Sequence, residues 1–373
     1  MTRWAPSRTS ALRSTGSLHR TAPLRPIGSP LWTGLPLLGG LFVAALVLLL
    51  AAGCSTGDPV AEPGDPVEFT VPPGASFQQV TDTLVARDLV RAPHLFRAFA
   101  RIRGDDRNVH SGRYSVPPGE DWSSLLQRLV NGEVVTVALT VPEGFTLAQM
   151  APRIAELTGR PAEEVLERLS EPEAHTALGL PGPGLEGYLF PDTYRFAPET
   201  SVEQVIRVMA ARYRTLWTED RRDRAEAMGM SEQEVTTLAS IVQAEARHSW
   251  EMPRIASVFL NRIQRGYPLQ ADPTVQYALA ERRSRLLYSD IDSVADHPYN
   301  TYRRRGLPPG PIGAPGEAAV DAVLDPEDSS YMYFVARPDG SHIFTRTLTE
   351  HNRARVEARR EWDAAARNSG GGT

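Results

Sequence analysis

The chain has a single cysteine, Cys54, and no lysine at all, so its 40 basic residues are all arginine. One cysteine excludes any intramolecular disulfide and any cysteine cluster, and stability must therefore come from an apolar core. The arginine-only basic set is read as genomic base-composition bias rather than chemistry. No H-E-x-x-H and no G-x-S-x-G occurs, and the eight histidines are scattered, which gives no support to a zinc or serine hydrolase. Glu245-x-x-His248 would be half of a di-iron pair, but there is no second copy. No metal and no cofactor is expected. Residues 182–187 satisfy G-x-G-x-x-G only to the letter: no strand precedes them and Pro183 holds the second position, so a nucleotide site is rejected. Net charge is −5 with no basic block beyond the N-terminus, which argues against nucleic acid as a partner.

At 373 residues there is room for two or three domains. Residues 1–34 carry five arginines and no acidic residue, and residues 35–53 follow as 19 positions without a charge. At 1.5 Å per residue that stretch spans about 28 Å, close to the ~30 Å hydrocarbon core of a bilayer. It shows no polar face, and Trp32 stands at its edge where interfacial aromatics belong. The positive flank predicts a single-pass anchor in the cell membrane with the N-terminus cytoplasmic and the rest outside. Beyond residue 34 the chain carries −10. Residues 51–55, with Cys54 after Gly53, are similar to a lipobox, the lipidation signal of bacterial lipoproteins. The alanine three places before Cys54 and the 34-residue leading segment favour an uncleaved anchor over that reading.

Residues 54–66, rich in Gly, Pro and Asp, read as a linker. A small module is expected over 67–140: a strand at 68–71, helices at 77–90 and 95–102, and a returning strand at 112–116. This βααβ order and its VPPGAS turn resemble a LysM-like glycan-binding module. A helix at 122–130 and a strand at 134–141 come next. The larger part, 141–366, reads as a mixed α+β domain with helices at 149–157, 162–169, 202–217, 231–248, 251–266 and 353–366. Residues 331–335 and 342–344 flank Asp339-Gly340, a hairpin turn signal. Residues 367–373 read as a flexible tail.

Within 231–248 (SEQEVTTLASIVQAEARH), Ser231 and Glu234 form a capping box, and Met230 and Val235 a hydrophobic staple. Val235, Leu238, Ile241 and Val242 recur at helical spacing, and Glu245 is the next position on that stripe. A carboxylate in a desolvated cleft has its charged form disfavoured, which suits a general acid, whereas a glutamate at a helix end often simply bends out to solvent. Four further stretches stand out: LEGYLFPDTY at 185–194, FLNRI then PLQADPTVQY at 259–277, YNTYRRRGLPPGPI at 299–312, and YFVARPDGSHIFTRTLTEHN at 333–352. Singly, each has a plain structural explanation as core tyrosines or a rigid loop. Together they set Tyr, Asn, Gln and Asp in loops, the composition of a carbohydrate cleft.

LEGYLFPDTY, LASIVQAEA, FLNRI with PLQADPTVQYA, YNTY with GLPPGPI, and the closing motif all resemble the MltG (YceG-like) family of endolytic murein transglycosylases, in one collinear order over about 141–357. The resemblance implies cleavage of peptidoglycan glycan strands between N-acetylmuramic acid and N-acetylglucosamine, without water, leaving a 1,6-anhydro end. It places the catalytic glutamate at Glu245. Many members carry a second glutamate two residues earlier, where this chain has Gln243. Asn261, Gln270, Asp272, Tyr299 and Asn300 become candidates for holding substrate, as do Glu186 and Asp192, although LEGYLFPDTY is also suited to forming a cleft wall. The implied partners are glycan strands, the membrane and the peptidoglycan synthases working there. Two other readings stay open: a tethered glycan-binding scaffold without catalysis, and a glycan hydrolase.

Overall fold

The computed structural model describes residues 65–279, 283 and 286–369. The arginine-rich segment, the apolar stretch, Cys54 and nearly all of the linker lie outside the described residues, as do residues 370–373 of the tail. Among the described residues no helix is long and apolar enough to cross a membrane. Among the described residues the fold is mixed α+β, with helices around three small antiparallel sheets of two strands each.

The first sheet pairs β1 (Val67–Val71) with β2 (Gly112–Val116), Val67 facing Val116. Between them run α1 (Phe77–Ala86) and α2 (Pro93–Arg103), and α3 (Trp122–Asn131) follows. Alternation along the strands turns Phe69, Val71, Tyr114 and Val116 inward, where they meet Val80, Leu84, Phe96 and Leu125 in a small core of their own. The βααβ order expected from sequence is therefore present. Ser76 and Gln79 close a capping box on α1. That helix stops at Ala86, short of the expected 90, because Asp88 adopts φ +57° and the Leu89 N–H turns back to the Leu84 carbonyl.

The larger core belongs to the second part. β3 (Val137–Thr140) pairs with β4 (Thr193–Phe196), so the end of LEGYLFPDTY is a strand of a long-range sheet. Helices α4 (Leu147–Thr158), α5 (Ala162–Leu169), α6 (Ala174–Ala177), α7 (Val202–Leu216), α8 (Glu219–Ala227) and α9 (Glu232–Glu245) follow in order. α9 is the buried axis: every residue from Val235 to Val242 is buried, including Thr236, Thr237 and Ser240. The Ser231–Glu234 capping box forms as expected. After a 3₁₀ turn, Ser249–Glu251, come α10 (Met252–Gln264), α11 (Asp272–Ala278), α12 (Tyr288–Ser293) and α13 (Glu317–Leu324), and α9 packs against α10 and α13. The hairpin of β5 (Tyr333–Ala336) and β6 (His342–Thr345) forms around Asp339-Gly340, with Gly340 at φ +86°. α14 (Leu348–Ser369) lies on it, and Trp362 donates to the Ala336 carbonyl. α14 starts five residues earlier than periodicity suggests, because Thr347 caps it and Glu350 reaches back to the N–H groups of Arg346 and Thr347.

Candidate active site

α9 ends abruptly: Ala246 takes extended angles, φ −78° and ψ 127°, and the chain leaves the helix one residue after Glu245. The proline-rich loop at 306–316 is strapped along the same helix. Gln233 donates to the Pro309 carbonyl (2.8 Å), Ser240 accepts from the Ile312 N–H (3.0 Å), and Gln243 accepts from the Gly316 N–H (3.0 Å). Gly144 and Ala314 tie the strap to the segment before α4, at 2.7 and 2.8 Å. Between that segment, the loop at 184–186, the end of α9 and the face of α11 lies a cavity of about 760 Å³. Glu245, Glu186 and Asp272 all line it.

Glu245 is half-buried. Desolvation by the surrounding protein, reinforced by the negative charge of Asp272, pushes its carboxyl up from 4.5 to about 8, against the opposing pull of the Arg262 guanidinium. At neutral pH it is therefore held as the acid. Glu186 is also half-buried. Its Oε1 and Oε2 accept from the Leu147 N–H at the start of α4, at 3.2 and 3.4 Å, and Oε2 accepts from the Tyr277 hydroxyl at 3.3 Å. Burial raises its carboxyl to about 7, while these bonds and the Gly187 N–H work to lower it. Gly187 sits at φ +82°, and a Cβ there would lie 2.3 Å from the Pro311 ring, so only glycine lets this loop pass under the strap. Asp272 accepts a short hydrogen bond from the Tyr302 hydroxyl.

The other residues singled out from sequence fall elsewhere. Tyr299 packs its ring 4.8 Å from that of Tyr277, just behind Glu186. Asn300 is fully buried and spans the Ile291 and Val294 carbonyls while accepting from the Tyr302 N–H. Asn261 gives its amide to the Ser329 and Tyr331 carbonyls. Gln270 is exposed, at φ +49°, with its N–H on the Thr301 carbonyl. Asp192 accepts from the Thr193 N–H and pairs with Arg212 at 2.9 Å. None of these five lines the cavity; three of the eight do.

Three residues that sequence reasoning passed over belong with the carboxylates. Tyr277 holds Glu186 and Tyr302 holds Asp272. Arg262, 7% exposed, donates to the Met332 carbonyl at 2.8 Å and to the Leu269 carbonyl, with its guanidinium 5.5 Å from the Tyr333 ring centre. All three stand inside the motif stretches, but nothing in the spacing marked them individually. Among the described residues no three His, Cys, Asp or Glu side chains converge as a metal site would require.

The model of the YceG-like family matches residues 69–357. The endolytic murein transglycosylase of Bacillus subtilis (strain 168) is 33% identical over 305 residues, covering 78% of this chain and 84% of the relative. That of Streptococcus pneumoniae (serotype 2, strain D39) is 28% identical over 318 residues, covering 77% of this chain and 57% of the relative. The crystal structure of a YceG-like protein from Listeria monocytogenes matches with a TM-score of 0.54 and 32% identity, over 78% of this chain and 99% of that one. A family model spanning most of the chain and a collinear relative at this identity lead to one conclusion: the chain belongs to the YceG-like family.

Proposed function

We propose that this protein is an endolytic lytic transglycosylase of peptidoglycan, cutting the β-1,4 bond between N-acetylmuramic acid and N-acetylglucosamine within glycan strands. The observation that carries this is Glu245, an acid form held at neutral pH in a cavity at the end of a buried helix. Its proton passes to the glycosidic oxygen as the bond to the muramic anomeric carbon breaks and positive charge builds there. The resulting carboxylate takes the proton of the muramic C6 hydroxyl as that oxygen bonds to the anomeric carbon. Glu245 is thereby returned to its acid form, and the strand ends in a 1,6-anhydro ring. The nucleophile is tethered to the substrate, so proximity replaces the second carboxylate that a hydrolase commonly needs.

Residues 35–53 fit a single-pass anchor that leaves the cavity outside the cell, with lipidated Cys54 as the other mode of attachment. The βααβ module is suited to holding glycan in the manner of LysM, and wall-building synthases at the same membrane are the partners this placement favours. A hydrolase is the second reading, and one observation favours it: Glu186 and Asp272 share the cavity with Glu245, so a second carboxylate is at hand. Mass spectrometry of peptidoglycan digested by the wild type and by Glu245→Gln decides between them. Anhydromuramic ends from the wild type alone support the transglycosylase. Reducing ends would transfer it to the hydrolases, and binding without cleavage would leave a scaffold.

A further inference from the structure

The exposed face of α2 has a composition that the glycan reaction does not call for. Phe96 and Ala100 of this helix point into the small core. On its outer side Leu95, Ala98 and Ile102 recur at i, i+3 and i+7 and so share one face. Leu95 is 66% exposed and Ile102 87%. A lone exposed leucine needs no explanation, but an apolar stripe along one helix face with a basic border is the pattern of helices that lie in a lipid interface. The border is there: residues 87–107 hold six arginines against three aspartates, a net +3 in a chain that carries −10 beyond residue 34. Arg91 and Arg101 reach Asp88 and the half-buried Asp106 only at 3.5 and 3.8 Å, and both exposed guanidinium groups are held weakly and can exchange partners. Arg103 is engaged with Asp105 at 3.1 Å.

We infer that the Leu95–Ala98–Ile102 face of α2, with Arg91 and Arg101 beside it, rests on the anionic lipid surface of the membrane to which the chain is attached. The inference rests on the membrane attachment proposed above, by either an uncleaved span or a lipidated Cys54. Only thirteen residues, 54–66, separate the apolar stretch from β1, and fully extended they reach about 45 Å at most. The module is thus kept near the bilayer at a high local concentration, and a weak interfacial contact suffices to dock it. Charge complementarity selects lipid over glycan for this face, since the arginines need phosphate partners and the stripe needs acyl chains.

The test places an environment-sensitive fluorophore at Ile102→Cys in a Cys54→Ser background of the full chain. A control label goes at Thr349→Cys, exposed at the start of α14. The labelled chains are incorporated into vesicles of phosphatidylcholine, alone or mixed with phosphatidylglycerol. The expected result is a blue shift at position 102 in the mixed vesicles that weakens in high salt and is absent at 349. Leu95→Asp should remove most of that shift while leaving the melting temperature and glycan cleavage unchanged. Identical spectra at 102 and 349 would overturn the inference. So would a response at 102 to added glycan strands but not to lipid. Alkaline extraction of the vesicles reports the span separately: in this Cys54→Ser background a chain that washes off refutes the uncleaved span, and the label at 102 then still reads whether the face binds anionic lipid unaided.

Discussion

The two glutamates of the cavity stand on walls built on opposite principles. Glu245 ends a helix that is buried from Val235 to Val242, and among the described residues no backbone or side-chain donor bonds its carboxyl. Glu186 sits in a loop and is held by the Leu147 N–H and the Tyr277 hydroxyl. Both are desolvated, yet the first is pushed to about 8 and the second only to about 7. Burial favours the neutral acid in each case; donors aimed at the carboxylate counteract it at Glu186, whereas the negative charge of Asp272 adds to it at Glu245. A carboxyl with no donors keeps its proton and can surrender it to a substrate oxygen. A carboxyl held by two donors is fixed in place and suited to orienting a ligand.

The largest effect expected from breaking this contrast is that of Glu245→Gln. Without the proton donor, cleavage should fall by at least roughly a thousandfold, a loss of ~4 kcal/mol or more in transition-state stabilisation. Stability should move the other way. A group whose folded pKa lies above its unfolded value favours folding fully below the unfolded value and loses that advantage as pH rises to the folded one. For Glu245 the window runs from 4.5 to about 8. Melting temperatures of wild type and variant should therefore agree near pH 4, with the variant increasingly the more stable up to pH 8. A variant less stable at every pH would mark Glu245 as a structural residue.

Gly187→Ala attacks the other wall. The φ of +82° and the 2.3 Å approach to Pro311 leave no room for a Cβ. The loop carrying Glu186 must shift or the strap must lift, at a cost of about 2–3 kcal/mol by thermal or denaturant unfolding. Loss of cleavage with an unchanged alkaline limb in the pH profile would show that the Glu245 wall survives the damage. A displaced alkaline limb would show that the two walls are not independent.

How far the sequence exposed this arrangement differs between the walls. The α9 wall was legible because its signals are local: a capping box, a staple and a stripe that ends on a carboxylate. The β1–β2 and β5–β6 pairings were legible for the same reason, since turn residues and alternation mark them. The β3–β4 pair was half visible, as a strand at 134–141 with no partner, because its match at Thr193–Phe196 is brought in over fifty residues by tertiary packing. Helices α6, α8, α11, α12 and α13 went unseen. α8 is nearly all charged and buries only Ala225, α11 has seven residues opening on Asp-Pro, and α13 is short and covered on several sides. The site was readable as a set of motifs but not as a set of contacts. Asn261 and Asn300 look like substrate-binding amides in a string of letters, yet both have their amide groups on backbone carbonyls. Tyr277 and Tyr302 look like core tyrosines, yet each donates to a cavity carboxylate.

Asp272→Asn tests the electrostatic half of the contrast. Removing the negative neighbour lowers the Glu245 carboxyl from about 8. The alkaline limb of kcat/KM, which follows loss of the free enzyme's acid, should then move to lower pH. Tyr302 keeps a hydrogen-bond acceptor in the amide oxygen, so the fold should change little. An unmoved limb would mean that desolvation alone sets the acid.

The smallest expected effect is that of Tyr277→Phe, which takes one donor from Glu186 and leaves the ring packed on Tyr299. At 3.3 Å the bond is long, and its loss should cost no more than about 1 kcal/mol of stability. Its removal makes Glu186 resemble Glu245, a desolvated carboxyl with fewer donors, so its pKa should climb above about 7. If the ionised form of Glu186 orients the substrate, KM should rise around neutral pH while kcat holds, because the variant reaches that form only at higher pH. If both parameters stay flat, Glu186 acts as a strut of the cavity wall, tied to the start of α4, and the chemistry belongs to Glu245 and its own neighbours.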